Sequence, residues 1–325
     1  RPAQADPGGQ RKSLDLIQNK DRLPCPDRLS NSSRALAPIV AAGGLPLQQV
    51  RREIKVIKDI VVHLTGSQED EVRLAYAEAI GARFDAHLTG LYAHVLPEVL
   101  AGDGAAMVAM GALIEQSHAQ ADATLERLVK RFDRLTMPHE VLRLDAFAGA
   151  AGDALAVAAR TADLFVATRP YGDPADAAHM EVSVLFGSGR ACLFVPPKGE
   201  APRAFGTVVV AWNGSRESAR AVAEAMPFLK LAGQVIVAMI REGDAAEFGG
   251  DIARHLSRHG IAAVISKVDA GSDGAGEALL AETRRVGAGL LVMGGYGHSR
   301  LLEWILGGTT RHILAHADVP VLMAR

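Results

Sequence analysis

The sequence predicts an α/β protein of two tandem units, each a five-stranded, mostly parallel sheet with helices on both faces. Three observations predict it. Short apolar runs alternate with amphipathic segments from about residue 56 to the end. The alternation restarts near Thr207, so the second half repeats the plan of the first. A glycine-rich turn, Gly294-Gly295-Tyr296-Gly297, follows directly on the apolar run Leu290-Leu291-Val292-Met293. Strands that alternate with helices favour parallel sheets covered on both faces and joined by right-handed crossovers.

In the first unit, Ile60–Leu64 reads as a strand that ends at Thr65-Gly66-Ser67. A helix from about Glu69 to Phe84 places Val72, Ala75, Ala79 and Ile80 on one face. His87–Val95 is a strand, Ala105 to Leu135 a long helix, Glu140–Leu144 a short strand, and Asp153–Arg160 a helix. Leu164–Ala167 and Cys192–Val195 complete the strands before Pro196-Pro197.

In the second unit, Thr207–Trp212 is a strand that ends at Asn213-Gly214-Ser215. Glu217–Lys230 is a helix with Val222, Met226 and Leu229 in register, and Gln234–Ile240 a strand. Asp251–His259 is a helix, Ala262–Lys267 a strand, Glu277–Val286 a helix and Leu290–Met293 a strand. A last helix from Leu301 and a strand from Pro320 to Met323 close the chain. The expected divisions are 1–55, a poorly structured or non-native extension; 56–197, the first unit; 198–206, a linker; and 207–325, the second unit. Residues 1–55 hold six of the 15 prolines and show little apolar periodicity.

Composition narrows the function classes. Of 325 residues, 49% are hydrophobic and 22% charged, with a net charge of −2, so no broad field draws nucleic acid or anionic membrane. Aromatics at 5% argue against a stacking platform for single strands. Two distant cysteines, Cys25 and Cys192, form no disulfide framework and fit a reducing, cytoplasmic setting. No apolar run is long enough for a membrane span.

Candidate ligand contacts gather where strands end, because open α/β sheets bind ligands beyond their carboxyl ends, at the reversal of strand order. Gly294 and Gly297 permit a tight turn, or they clear space for backbone N–H groups to cradle a phosphate. Gly307 and the strand–turn–helix setting favour the cradle. It is neither a Walker loop nor a dinucleotide fingerprint, because the lysine and the glycine spacing those need are missing.

The run from Met293 through Gly294, Gly297, His298, Ser299 and Arg300 to Gly307, Gly308, Thr309, Thr310 and Arg311 resembles the universal stress protein family. The resemblance covers about Val56 to Arg325. It implies Rossmann-like domains of the adenine nucleotide alpha-hydrolase type and an ATP or AMP site in the second unit. The family's binding members carry G-x-x-G, nine residues, then G and Ser/Thr; here Gly308 stands at that final position, and Thr309 and Thr310 follow as substitutes. Asn213-Gly214-Ser215 matches the family's first strand end, where a ribose or adenine is held. His298 is a rim contact, a helix-start cap or a phosphate donor.

Thr168-Arg169-Pro170-Tyr171 replaces the glycine motif in the first unit, so that half is expected to bind no nucleotide. The resemblance also implies that the two halves pair through their last strands. Homodimerisation of whole chains and a role for magnesium stay open.

Other residues have simpler readings. Ser215 caps the following helix or touches nucleotide, and no G-x-S-x-G marks it as a nucleophile. Arg311 clamps anions, or it is a surface charge or pairs with Asp318. Ser299 and Glu303 suit the start of the Leu301 helix, Trp212 suits packing or contact with an adenine, and Trp304 suits packing. His255 and His259 stand at i and i+4 with no third ligand, and Asp269 and Asp273 converge on nothing, so no metal site is assigned. No catalytic residue is assigned either. Two functions compete: a regulatory nucleotide binder, with slow hydrolysis open, and a nucleotide-independent scaffold. A small-molecule hydrolase is the third.

Overall fold

The computed structural model describes residues 57–98, 104–171, 180–199, 205–241, 249–295 and 308–325. In the first unit the order is β1 (Asp59–Leu64), α1 (Glu69–Phe84), β2 (His87–Leu96), α2 (Gly104–Phe132), β3 (His139–Phe147), α3 (Ala148–Ala159), β4 (Leu164–Thr168), α4 (Met180–Gly187) and β5 (Ala191–Val195). In the second it is β6 (Thr207–Ala211), α5 (Arg216–Leu231), β7 (Gln234–Arg241), α6 (Gly249–Arg258), β8 (Ala263–Asp269), α7 (Gly274–Arg285), β9 (Leu290–Gly294), α8 (Gly308–His316) and β10 (Val321–Ala324).

Among the described residues, ten strands form one sheet in the order β3-β2-β1-β4-β5-β10-β9-β6-β7-β8. Neighbours are parallel except β5 and β10, which pair antiparallel with Leu193 opposite Leu322. The last strands of the two halves therefore join within one chain. Because that joint is antiparallel, the carboxyl ends of the parallel strands point to opposite edges of the sheet in the two halves. The inner pairs repeat: Val61 sits opposite Phe165 on β1 and β4, and Val209 opposite Leu291 on β6 and β9.

Alternation along each strand builds two apolar layers. Val62, Leu64, Leu193, Val210 and Leu322 face one; Val61, Phe165, Phe194, Val209 and Met323 face the other. Both layers run across the β5–β10 joint. Phe84 on α1 meets Phe228 on α5 edge to face at 5.8 Å between ring centroids. The guanidinium of Arg325 lies 4.1 Å from the Phe186 ring centroid. Burial pushes the Cys192 thiol up, so it sits in the core as a small apolar group. No described helix is long and apolar enough to cross a membrane.

Most elements follow the sequence reading. Helix α1 has the expected limits, and its first turn carries Glu69, Asp70 and Glu71, which suit the positive end of the helix dipole. The short α4 was not placed from sequence.

Candidate functional site

In the second unit strand order reverses between β6 and β9. The turn after β6 is held by its own side chains. Asn213 Oδ1 accepts from the Ser215 backbone N–H at 3.1 Å. Ser215 caps α5 by accepting from the Ser218 N–H at 3.1 Å, and the Ser218 hydroxyl donates back to the Ser215 carbonyl at 2.8 Å. Gly214 has φ of +73° and a side-chain direction open among the described residues, a conformation that favours glycine. Burial pushes the Glu217 carboxyl up, but the Arg216 guanidinium, the Glu217 backbone N–H and the Ser215 hydroxyl hold it below the usual carboxylate range.

Gly294 ends β9 against this same turn. A Cβ there would lie 2.5 Å from the Glu217 carbonyl carbon and 2.6 Å from the Ser218 nitrogen. The glycine therefore brings the end of β9 onto the first turn of α5. Gly295 ties the end of β9 to β10, its N–H donating to the Ala324 carbonyl at 3.0 Å.

Gly308, Thr309 and Thr310 form the first turn of α8. Since α8 connects β9 to the parallel β10, its N-terminus lies at the carboxyl edge shared with the end of β6. Helix geometry leaves the first N–H groups of such a turn without intrahelical acceptors. Gly308 is exposed, Thr309 half-buried and Thr310 buried. Gly297, His298 and Gly307 lie outside the described residues, as do Ser299, Arg300, Leu301, Glu303 and Trp304. The structure thus brings Asn213, Gly214, Ser215, Gly294, Gly308, Thr309 and Thr310 to one edge.

The corresponding crevice of the first unit, between the ends of β1 and β4, is filled. Arg73 on α1 is 3% exposed. Its Nε donates to Thr168 Oγ1 at 2.6 Å, and its Nη1 to Asp70 Oδ1 at 2.6 Å and to the His63 carbonyl at 3.2 Å. Asp70 in turn accepts from the N–H groups of Thr65 at 3.0 Å and Gly66 at 2.8 Å. A carboxylate of the chain itself thus takes the amides of the turn that corresponds to Asn213-Gly214-Ser215. By the repeat, Ala221 and Gly294 stand where the first unit has Arg73 and Thr168.

Behind the plug, Glu181 Oε1 on α4 lies 3.0 Å from His63 Nδ1 on β1, both buried, without the alignment of a hydrogen bond. Burial pushes the Glu181 carboxyl up; the His63 ring, the Glu181 backbone N–H and Arg73 outweigh it and hold the carboxyl below the usual range.

Two arginines have roles the sequence did not assign. The Arg311 guanidinium lies 5.5 Å from the centroid of the Tyr171 ring, on the first unit. The Asp318 expected as its partner sits 4.0 Å from Arg284 instead. Arg169 Nη1 donates to the Leu314 carbonyl at 2.9 Å and to that of Ala315, so the end of β4 closes the last turn of α8. Trp212 packs half-buried, as expected, with its indole N–H lacking an acceptor among the described residues. The His255 and His259 rings stack edge to face at 4.8 Å. Sequence reasoning missed a polar cluster of His94, Ser117, His118, Arg143 and Asp145, which α2, β2 and β3 bring together from distant positions.

Residues 204–325 match the profile of the universal stress protein family. No curated protein sequence matches the chain. Among solved structures, a universal stress protein from Archaeoglobus fulgidus superposes with a TM-score of 0.64 at 16% identity, covering 82% of this chain and 96% of its own. A functionally unknown protein from Pseudomonas aeruginosa gives 0.52 at 15% identity, covering 83% and 93%. A putative universal stress protein from the same species gives 0.52 at 16%, covering 83% and 94%. At these identities the likeness is one of fold, and it extends over both units.

Proposed function

We propose that this chain, whose residues 204–325 are a universal stress protein domain, binds an adenine nucleotide, ATP or AMP, in its second unit alone and uses it as a regulatory ligand. One contrast carries the reading. The second unit has Ala221 and Gly294 at the strand-order reversal, where Arg73 and Thr168 fill the first. The base and ribose lie over Asn213-Gly214-Ser215. The phosphates lie over the first turn of α8, where unpaired N–H groups and the helix dipole favour negative charge. Thr309 supplies the hydroxyl that Gly308 lacks. Gly297, His298 and Gly307 complete the cradle by family resemblance.

The first unit serves as the structural partner, joined through β5 and β10. No carboxylate pair for magnesium and no lysine for phosphoryl transfer is placed at the α5–α8 edge among the described residues, so the reading is binding rather than turnover. Domain limits of 56–197 and 207–325 belong to the same proposal.

One observation favours a second reading, a scaffold that binds no nucleotide: Gly308 stands where the family motif has a hydroxyl. Photolabelling the full chain with an azido-adenosine triphosphate, followed by peptide mapping, separates the two. The proposal expects label on peptides within 207–325, competed by ATP. Label only on 57–199, or none that ATP competes, overturns it.

A further inference from the structure

We propose that the first unit carries a separate catalytic site, in which Ser117 is a nucleophile activated by His94 toward activated esters. His94 stands near the carboxyl end of β2 and is 8% exposed. Its Nδ1 lies 2.6 Å from Asp145 Oδ1, on the residue that pairs with it in register on β3. Its Nε2 lies 2.8 Å from Ser117 Oγ on α2. Nucleophile, base and orienting carboxylate are thus in direct hydrogen-bond contact, the arrangement that nucleophilic catalysis needs.

The proton placement follows from the carboxylate. Burial pushes the Asp145 carboxyl up, but His94 and Arg143 hold it below the usual range, so it is ionised and only accepts. With Asp145 ionised, a neutral His94 keeps its proton on Nδ1 toward Asp145 and leaves the Nε2 lone pair to the Ser117 hydroxyl; the Arg143 Nη2, at a longer 3.3 Å from Nδ1, is then a contact and not a hydrogen bond. Arg143 steadies the carboxylate: its Nε donates to Asp145 Oδ1 at 2.7 Å, and its Nη2 donates to His118 Nδ1 at 2.6 Å. Asp145 is a positioning residue; Ser117 and His94 are the catalytic pair.

The same groups have the spacing of a metal site, since ligand atoms of His94, His118 and Asp145 lie within 4.8 Å of one another. The Arg143 guanidinium stands among them, and a divalent ion would meet its charge at close range. The nucleophile reading uses Arg143 as it stands. Ser117 is half-exposed on a helix, which suits a small acyl group with a good leaving group.

The chemistry balances with water as the second substrate. Ser117 Oγ bonds to the acyl carbon as its proton passes to His94 Nε2. The ester C–O bond breaks and the leaving alcohol takes that proton. Water then attacks the acyl-serine, giving a proton to Nε2, which returns it to Ser117 as the acid departs.

The test is reaction of the full chain with an alkyl fluorophosphonate, the modified residue being mapped by mass spectrometry. Ser117 is labelled, Ser117→Ala is not, and His94→Gln slows labelling about 100-fold at an unchanged melting temperature. Because His94→Gln alters a buried position, a second readout is the low-field proton resonance of His94 Nδ1–H in Ser117→Ala, which Asp145→Asn removes. No labelling of folded wild type, labelling of Ser117 that ignores His94, or stoichiometric zinc binding lost in His118→Ala without any labelling each overturns the proposal.

Discussion

Arg73 Nε donates to Thr168 Oγ1 at 2.6 Å across the strand-order reversal of the first unit, so a buried guanidinium occupies the place where such folds receive ligands. The same cation holds Asp70, whose carboxylate takes two loop amides. Arg73→Ala leaves that carboxylate buried without its counter-ion. The expected loss of stability is about 3–5 kcal/mol, read from urea denaturation. Nucleotide affinity of the second unit stays unchanged wherever the variant is folded. A loss below about 1 kcal/mol would mean that the plug is ornamental.

Gly294 is expected to tolerate no side chain. Its Cβ would meet backbone atoms of Glu217 and Ser218, which yield less readily than the tip of a flexible side chain. Gly294→Ala should destabilise by about 1–3 kcal/mol through overpacking. Thermal unfolding of the variant beside wild type checks this.

Arg169 ties the end of β4 to the last turn of α8 in the other half. Its charge suits the negative end of that helix. Arg169→Met should cost about 1.5–3 kcal/mol, the usual range for hydrogen bonds to a charged group. Amide hydrogen exchange should quicken in residues 312–317 and in β10. Unaltered protection there would show that the joint rests on β5–β10 pairing and apolar contact alone.

Glu181 gives the first unit an acid-sensitive element. Its carboxyl lies below the usual range in the folded protein, so at acid pH the unfolded chain binds the proton more readily. The stability it contributes is fully present above the unfolded value of about 4.3 and is lost as pH falls through the folded value. Glu181→Gln should lower stability at neutral pH and flatten its decline below about pH 4.5. Denaturation midpoints measured from pH 7 to pH 3 test the slope; parallel curves for the two proteins would contradict the assignment.

The sequence carried the fold because most strands are short apolar runs and most long helices are amphipathic. The limits of helix α1 were legible, but its buried face was not: of Val72, Ala75, Ala79 and Ile80 only Ile80 is buried, and Asp70, Arg73, Leu74, Ala77 and Phe84 are buried with it. Helix α4 was not legible, because eight residues, most of them apolar, give no distinguishable period. Thr168-Arg169 in place of glycines marked the first unit as changed, but nothing local showed that Arg73, from a different element, fills the gap. The link from His94 to Ser117 and Asp145 was equally hidden: parallel pairing of β2 with β3 and the return of α2 create it. The extent of most helices and strands is readable from their own residues; a meeting of three elements is a property of their packing.

The central claim is most directly tested by calorimetric titration of ATP into the full chain and into Gly308→Asp. An aspartate at the start of α8 suits the helix dipole and enters open space among the described residues, so the fold is preserved while the phosphates meet a negative charge. The expected result is one equivalent of ATP bound by wild type and an affinity at least tenfold weaker, about 1.4 kcal/mol, in the variant at an unchanged melting temperature. Equal affinities, or no binding by folded wild type at millimolar ATP, would contradict it.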